Sequence, residues 1–125
     1  MTEKQWKSFA PFFTPEECGK GMDYGFMLLL KAFRIIFDSP MHIISGWDTS
    51  GHSDTSFHYK GRAVDWWSVV SPRKTLRLLD RTGMFNGVGF YLWGKHKSWH
   101  IDNRPSCRYQ RWLSPEKGKY LYLIS

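Results

Sequence analysis

Between Met22 and Phe37 the side chains of Phe26, Leu29, Leu30, Phe33, Ile36 and Phe37 fall on one stripe of a helical period, with Lys31 and Arg34 off it. The pattern predicts an amphipathic helix that Pro40 stops. A second helix is predicted over Pro72 to Thr82, because Ser71 offers an N-cap oxygen, Pro72 suits the first turn and Gly83 follows the last residue. Elsewhere the period drops to two. Met41 to Ser45 reads as a strand, and so does the run that enters at Ala63 and carries Asp65 on to Val69. Gly87 to Tyr91 and Trp99 to Asp102 make two more, predicted to pair as a hairpin across a basic loop. Tyr120 to Ile124 alternates weakly and reads as an edge strand. Arg111-Trp112 and Pro115 read as loop or a short turn, and Phe9 to Phe13 as an extended arm packed across the first helix. The expected fold class is α+β: a small antiparallel sheet packed against two main helices, in a single domain spanning 1–125. An N-terminal arm (1–20) and a C-terminal extension (103–125) flank it.

The polar faces of these strands carry the chemistry. His58 ends a polar loop rich in Ser, Thr, Gly and Asp, and Gly61 allows a sharp turn before Ala63-Val64-Asp65-Trp66 extends. Ala63 and Asp65 then share one face, and Ala63 leaves room beside the carboxylate. Ser98, His100 and Asp102 share a face in the later strand, while Trp99 and Ile101 point to a core. Singly, each of these is an ordinary residue: a buried histidine is usually a hydrogen-bonded core group, and a strand aspartate an edge feature. Together they complete a Ser-x-His-x-x-Gly-x-Ala-x-Asp frame followed by a Trp-His pair, and the combination favours a metal. His58, Asp65 and His100 supply two imidazoles and one carboxylate, which leave a tetrahedral Zn²⁺ with its fourth position open, as hydrolytic rather than structural zinc requires. One zinc ion is the expected cofactor.

The runs Gly46-Trp47-Asp48-Thr49-Ser50-Gly51-His52 and Ser56-Phe57-His58-Tyr59-Lys60-Gly61-Arg62-Ala63-Val64-Asp65 closely resemble the signalling domain of hedgehog proteins. More loosely, the chain is similar to zinc D-alanyl-D-alanine peptidases and phage endolysins of the M15 type, which share that fold. The similarity extends from about Phe12 to about Asp102 and implies His58, Asp65 and His100 as the zinc ligands. Two departures bear on turnover. The peptidases usually carry a glutamate general base three residues before the last histidine, where this chain has Lys97; no glutamate occurs between Glu17 and Glu116. They commonly carry an arginine two positions after the Ser-Gly pair, where this chain has Asp48.

A zinc-bound water needs a proton acceptor near the metal. His96 in the basic loop, His52 and Asp102 are the candidates, and His52 has a counterpart histidine in hedgehog domains. Lys95, Lys97 and Arg62 are the cations that would replace the missing arginine, with the lysines preferred because Arg62 points off the ligand face by alternation. Trp47 is a candidate substrate contact.

Composition narrows the setting. The 125 residues carry a formal charge of +7 and 18% aromatic side chains, which suits a compact core, exposed rings at a groove and attraction to an anionic polymer. The basic residues are scattered and form no nucleic-acid motif, so peptidoglycan stems or another anionic cell-wall polymer are the expected partner, and nucleic acid is disfavoured. The longest apolar run, Phe26 to Leu30, breaks at Lys31 and is too short to span a bilayer. Met1 to Trp6 lacks the apolar core of a secretory signal, so the expectation is synthesis in the cytoplasm, with action at the cell wall after release through a phage pore. Cys18 and Cys107 could pair after export, whereas a reducing cytoplasm favours free thiols, and the protein is expected to be a monomer. Two functions follow: a zinc peptidase cutting peptidoglycan peptide stems in the manner of a phage lysin, or a hedgehog-like zinc-binding module that recognises a ligand without turnover.

Overall fold

The computed structural model describes residues 1–124. Asp23 caps the main helix by accepting a hydrogen bond from the Phe26 amide, so α3 spans Tyr24–Phe37 and ends at Asp38 in the left-handed region. Its buried stripe is Phe26, Met27, Leu30, Phe33 and Phe37. Leu29 is only partly buried, and Ile36, read from the sequence as part of the stripe, is 50% exposed. The reason is rotational: at about 100° per residue Ile36 stands roughly 120° around the helix from Leu30. The second main helix, α4 (Pro72–Thr82), has the Ser71 cap and the Gly83 terminus the sequence predicts, and buries Thr75 and Leu79.

The N-terminal segment is not an extended arm. It holds two short helices, α1 (Glu3–Lys7) and α2 (Pro15–Cys18), each opened by a threonine capping box. Turns between them bring Phe9 and Phe13, four residues apart, into the core with almost no exposure. Each buried phenylalanine side chain contributes about 1.5–3 kcal/mol toward ordering the segment, and the capping boxes satisfy the amides at the start of each helix.

Six strands form one sheet: β1 (His42–Ser45), β2 (Ala63–Trp67), β3 (Gly87–Tyr91), β4 (Ser98–Asp102), β5 (Gln110–Ser114) and β6 (Leu121–Ile124), in the order β1-β2-β4-β3-β5-β6. The α+β class holds, but the sheet is mixed. The β3–β4 hairpin is antiparallel as expected, whereas β5, which the sequence reads as loop around Arg111 and Trp112, pairs parallel to β3. β6 lies at one edge.

Val64, Trp66, Val88, Trp99 and Ile101 cover one face of the sheet and join the aromatic side chains of the helices in a single core. Phe33 packs edge-on to Trp66 and Phe85, and Phe37 to Trp66. Alternation therefore turns Asp65, Gly89, His100 and Trp112 to the other face, away from the helices. No helix among the described residues is long and apolar enough to cross a membrane.

Candidate metal centre

A single-turn 3-10 helix, Phe57–Lys60, carries His58. Ser56 accepts a hydrogen bond from the His58 amide, and Gly61 closes the turn at φ +66°. A Cβ at Gly61 would overlap the backbone of Gly21 and Met22, and its carbonyl accepts from the Asp23 amide at the start of α3. Glycine is thus required both for the positive φ and for the close approach. The turn is pinned to the main helix, and His58 with it.

The His58 ring donates from Nδ1 to the Gly46 carbonyl at 2.7 Å, and its Nε2 lies 3.3 Å from Asp65 Oδ2. β2 and β4 place Asp65 directly opposite His100. His100 Nδ1 lies 3.0 Å from Asp65 Oδ1, and its Nε2 lies 2.7 Å from Asp102 Oδ2. Ser45 on β1 donates to Asp65 Oδ2 at 2.9 Å. Asp102 is fully buried and is held by Arg104 through Nε (2.9 Å), Nη2 (2.8 Å) and the backbone amide (3.1 Å).

These contacts set the protonation states of the metal-free chain. Burial opposes charge on all three groups, but hydrogen bonds outweigh it: those from His100 and His58 hold the Asp65 carboxyl well below the usual range. Bonds from His100 and Arg104 do the same for Asp102, and the two carboxylates raise His100 to about 9.

One nitrogen from each histidine and one oxygen of Asp65 lie within 4.8 Å of one another, so the three side chains offer a compact N, N, O donor set. That set fits zinc, and it is supported as metal-binding histidines usually are: the far ring nitrogen of His58 meets a carbonyl, and that of His100 a carboxylate. Asp48, His52 and His58 form a second group within the same limit. His58 is common to both groups, and its Nδ1 is committed to Gly46.

The cluster opens into a cleft of about 520 Å³. One wall is the loop from Gly51 to Phe57; the other comes from Arg104, Arg108, Gln110, Trp112, Tyr120 and Tyr122, all beyond β4. Gly89 makes the second wall possible. It stands between His100 and Trp112 in the sheet register, and a Cβ there would overlap the Trp112 ring, which lies 5.2 Å from the His100 ring. Trp112 Nε1 in turn donates to the Tyr91 hydroxyl at 3.1 Å, and burial pushes the Tyr91 phenol up.

A match to the Peptidase M15 family covers residues 12–102, most of the chain, and includes all three donor residues. The chain belongs to the peptidase M15 family. Comparison with curated proteins and with solved structures finds no match. Family membership bears out the resemblance carried by the His58 to Asp65 frame.

Of the three candidate proton acceptors, the structure brings two to the M15 site. His52 lines the cleft, stacks on His58 at 4.0 Å between ring centroids and meets Asp48 Oδ2 through Nε2 at 2.7 Å. Asp102 is present but enclosed, with both oxygens engaged by Arg104 and His100. His96 is elsewhere: it stacks on Trp67 at 3.8 Å beside a separate cavity that Lys95 and Lys97 also line. The reason is register. Trp67 follows Asp65 by two positions on the same face, so the β3–β4 loop reaches the far end of β2 rather than the donor cluster.

The predicted substrate-binding cations are displaced with it. Lys95 and Lys97 line that second cavity and not the cleft, and Arg62 is occupied with Asn103 Oδ1 at 2.9 Å. Trp47 packs against the core over Gly21 rather than facing the cleft. The cations that do line the cleft are Arg104 and Arg108. Arg104 has a sequence signal, an arginine two residues after an aspartate that shares a face with His100. Arg108 and Trp112 have none, because only the parallel placement of β5 brings them there.

Proposed function

We propose that this M15 chain is a zinc-dependent peptidase that hydrolyses the peptide stems of bacterial peptidoglycan, with His58, Asp65 and His100 as the zinc ligands. One observation carries the reading: among the described residues, the one N, N, O cluster with both far imidazole nitrogens engaged sits at the floor of an open cleft in a chain of a peptidase family. Bound there, zinc would act as a Lewis acid and lower the pKa of water. The protein side chains supply the remainder. Ser45 and Asp102 orient Asp65 and His100, and Arg104 keeps Asp102 charged. His52 is the proton acceptor this reading selects, since it lines the cleft and Asp48 fixes its ring. Asp48, standing where the peptidases carry an arginine, thereby gains a role. A cell-wall polymer as partner agrees with the net charge of +7, and action at the wall after release by a phage pore belongs to the same proposal.

The second reading, a zinc-binding module without turnover, is favoured by two observations: both cleft carboxylates, Asp65 and Asp102, are engaged by neighbouring side chains, and Lys97 stands where the glutamate base is expected. One experiment separates the two. Bound zinc is measured in the purified protein, and digestion of purified peptidoglycan is followed with and without a chelator. Chelator-sensitive release of peptide fragments, lost in His52→Ala, supports the peptidase; stoichiometric zinc without digestion selects the module.

A further inference from the structure

The family match ends at Asp102, yet one whole wall of the cleft is built from residues after it. That wall carries two arginines in different electrostatic states. Arg104 is neutralised by Asp102 and also donates to Gln110 at 3.0 Å. Arg108 has no carboxylate within 4 Å among the described residues, is exposed, and lies over the Phe57 ring at 5.5 Å from its centroid. Phe57 is buried and immediately precedes His58; Lys60 and Arg104 also lie over its ring, at 5.1 and 5.4 Å, and of these three cations Arg108 is the one that lines the cleft without a carboxylate partner among the described residues. An aromatic face restrains an arginine without consuming its hydrogen-bond donors, which remain a fork matched to a carboxylate.

We infer that Arg108 is a specificity-determining residue that binds a free carboxylate of the peptide held in the cleft. It supplies from the C-terminal segment the positive charge that Asp48 removes from the loop and that Lys95 and Lys97 do not bring. The inference rests on the peptidase reading for its choice of a peptide as ligand. Two carboxylates on such a peptide share this chemistry, the chain terminus and the free carboxylate of an internal glutamate.

The test uses the zinc-loaded full chain and three probes: a peptidoglycan stem pentapeptide, its C-terminal amide, and the pentapeptide with the free carboxylate of its internal glutamate amidated. Dissociation constants from titration calorimetry are compared with turnover of each probe. Amidating the recognised carboxylate is expected to weaken binding about tenfold or more, the scale of a lost charge-assisted pair. Which amide does so identifies the carboxylate. Arg108→Gln should bind acid and amide equally with an unchanged melting temperature, and Arg108→Lys should keep part of the difference. Equal binding of all three probes by the unaltered protein, a full acid preference in Arg108→Gln, or no binding of any probe overturns the inference. Selective binding without turnover overturns the peptidase reading alone, and turnover indifferent to amidation overturns this inference alone.

Discussion

His100 sits between two carboxylates, and the two do different things. Asp65 shares the donor cluster, while Asp102 is buried behind the ring and takes Nε2. In the zinc-bound protein Asp102 would hold the tautomer that leaves Nδ1 free. Asp102→Asn is therefore expected to weaken zinc binding by about 10–100-fold, the scale of a lost outer partner of a metal-bound histidine. Competition against a chromophoric chelator measures this; an unchanged affinity would show that His100 needs no acceptor at Nε2. The same pair makes the metal-free protein sensitive to alkali. His100 is raised from its ordinary 6.5 to about 9, so its contribution to stability is complete below pH 6.5 and is lost as pH rises through about 9. Asp65 and Asp102 are depressed, and their contribution fades only toward acid pH. Urea midpoints of the zinc-free chain should fall between pH 6.5 and 9, and Asp102→Asn should shrink that fall. The three donors were legible in the sequence because a two-residue alternation and one glycine turn suffice to aim them. Arg108 was not, because nothing within its own segment says which strand that segment will join.

Among the elements, α3, α4 and five of the six strands announce themselves by period and caps, β6 only weakly, whereas β5 does not. Gln110-Arg111-Trp112-Leu113-Ser114 has no apolar alternation, since its helix-facing side shows Arg111 and its cleft-facing side shows polar groups around one tryptophan. Arg111 is nonetheless 5% exposed, because Asp80 on α4 pairs with it at 3.1 Å and Asn86 and Gln110 offer carbonyls. A buried arginine reads as surface until its partner on another element is known. Gly89 is the point where β5 and the donor strand depend on each other. Gly89→Ala would set a methyl group against the Trp112 ring and force it from its place beside His100. The expected cost is about 1–3 kcal/mol of stability, typical of overpacking, with a weaker Trp112–Tyr91 hydrogen bond. Chemical denaturation followed by tryptophan emission checks the first, and a crystal structure of the variant the second. A cost below about 0.5 kcal/mol, the usual bound for a surface change, would mean the ring is not confined.

At the scale of the whole molecule the donor cluster joins a helix-anchored turn to two paired strands. His58 belongs to a turn anchored on α3, Asp65 to β2 and His100 to β4, with Ser45 of β1 bonded to Asp65. A metal gripping these side chains binds only the folded chain, because the unfolded one has no preformed site. Mass action then fixes the size of the effect. Free zinc at about 1,000 times its dissociation constant adds roughly 4 kcal/mol. For a chain of this length each kcal/mol moves the melting temperature by about 4 °C, so chelation should lower it by about 10–20 °C. Calorimetric melts with and without chelator measure the shift, and readdition of zinc should restore it. Asp65→Asn should lower the melting temperature of the zinc-saturated protein toward the chelated value while responding weakly to the chelator itself. A melting temperature indifferent to chelator and to zinc in the unaltered chain would mean that the two imidazoles and the carboxylate form a hydrogen-bonded polar cluster and no metal centre, and the proposed activity would fall with it.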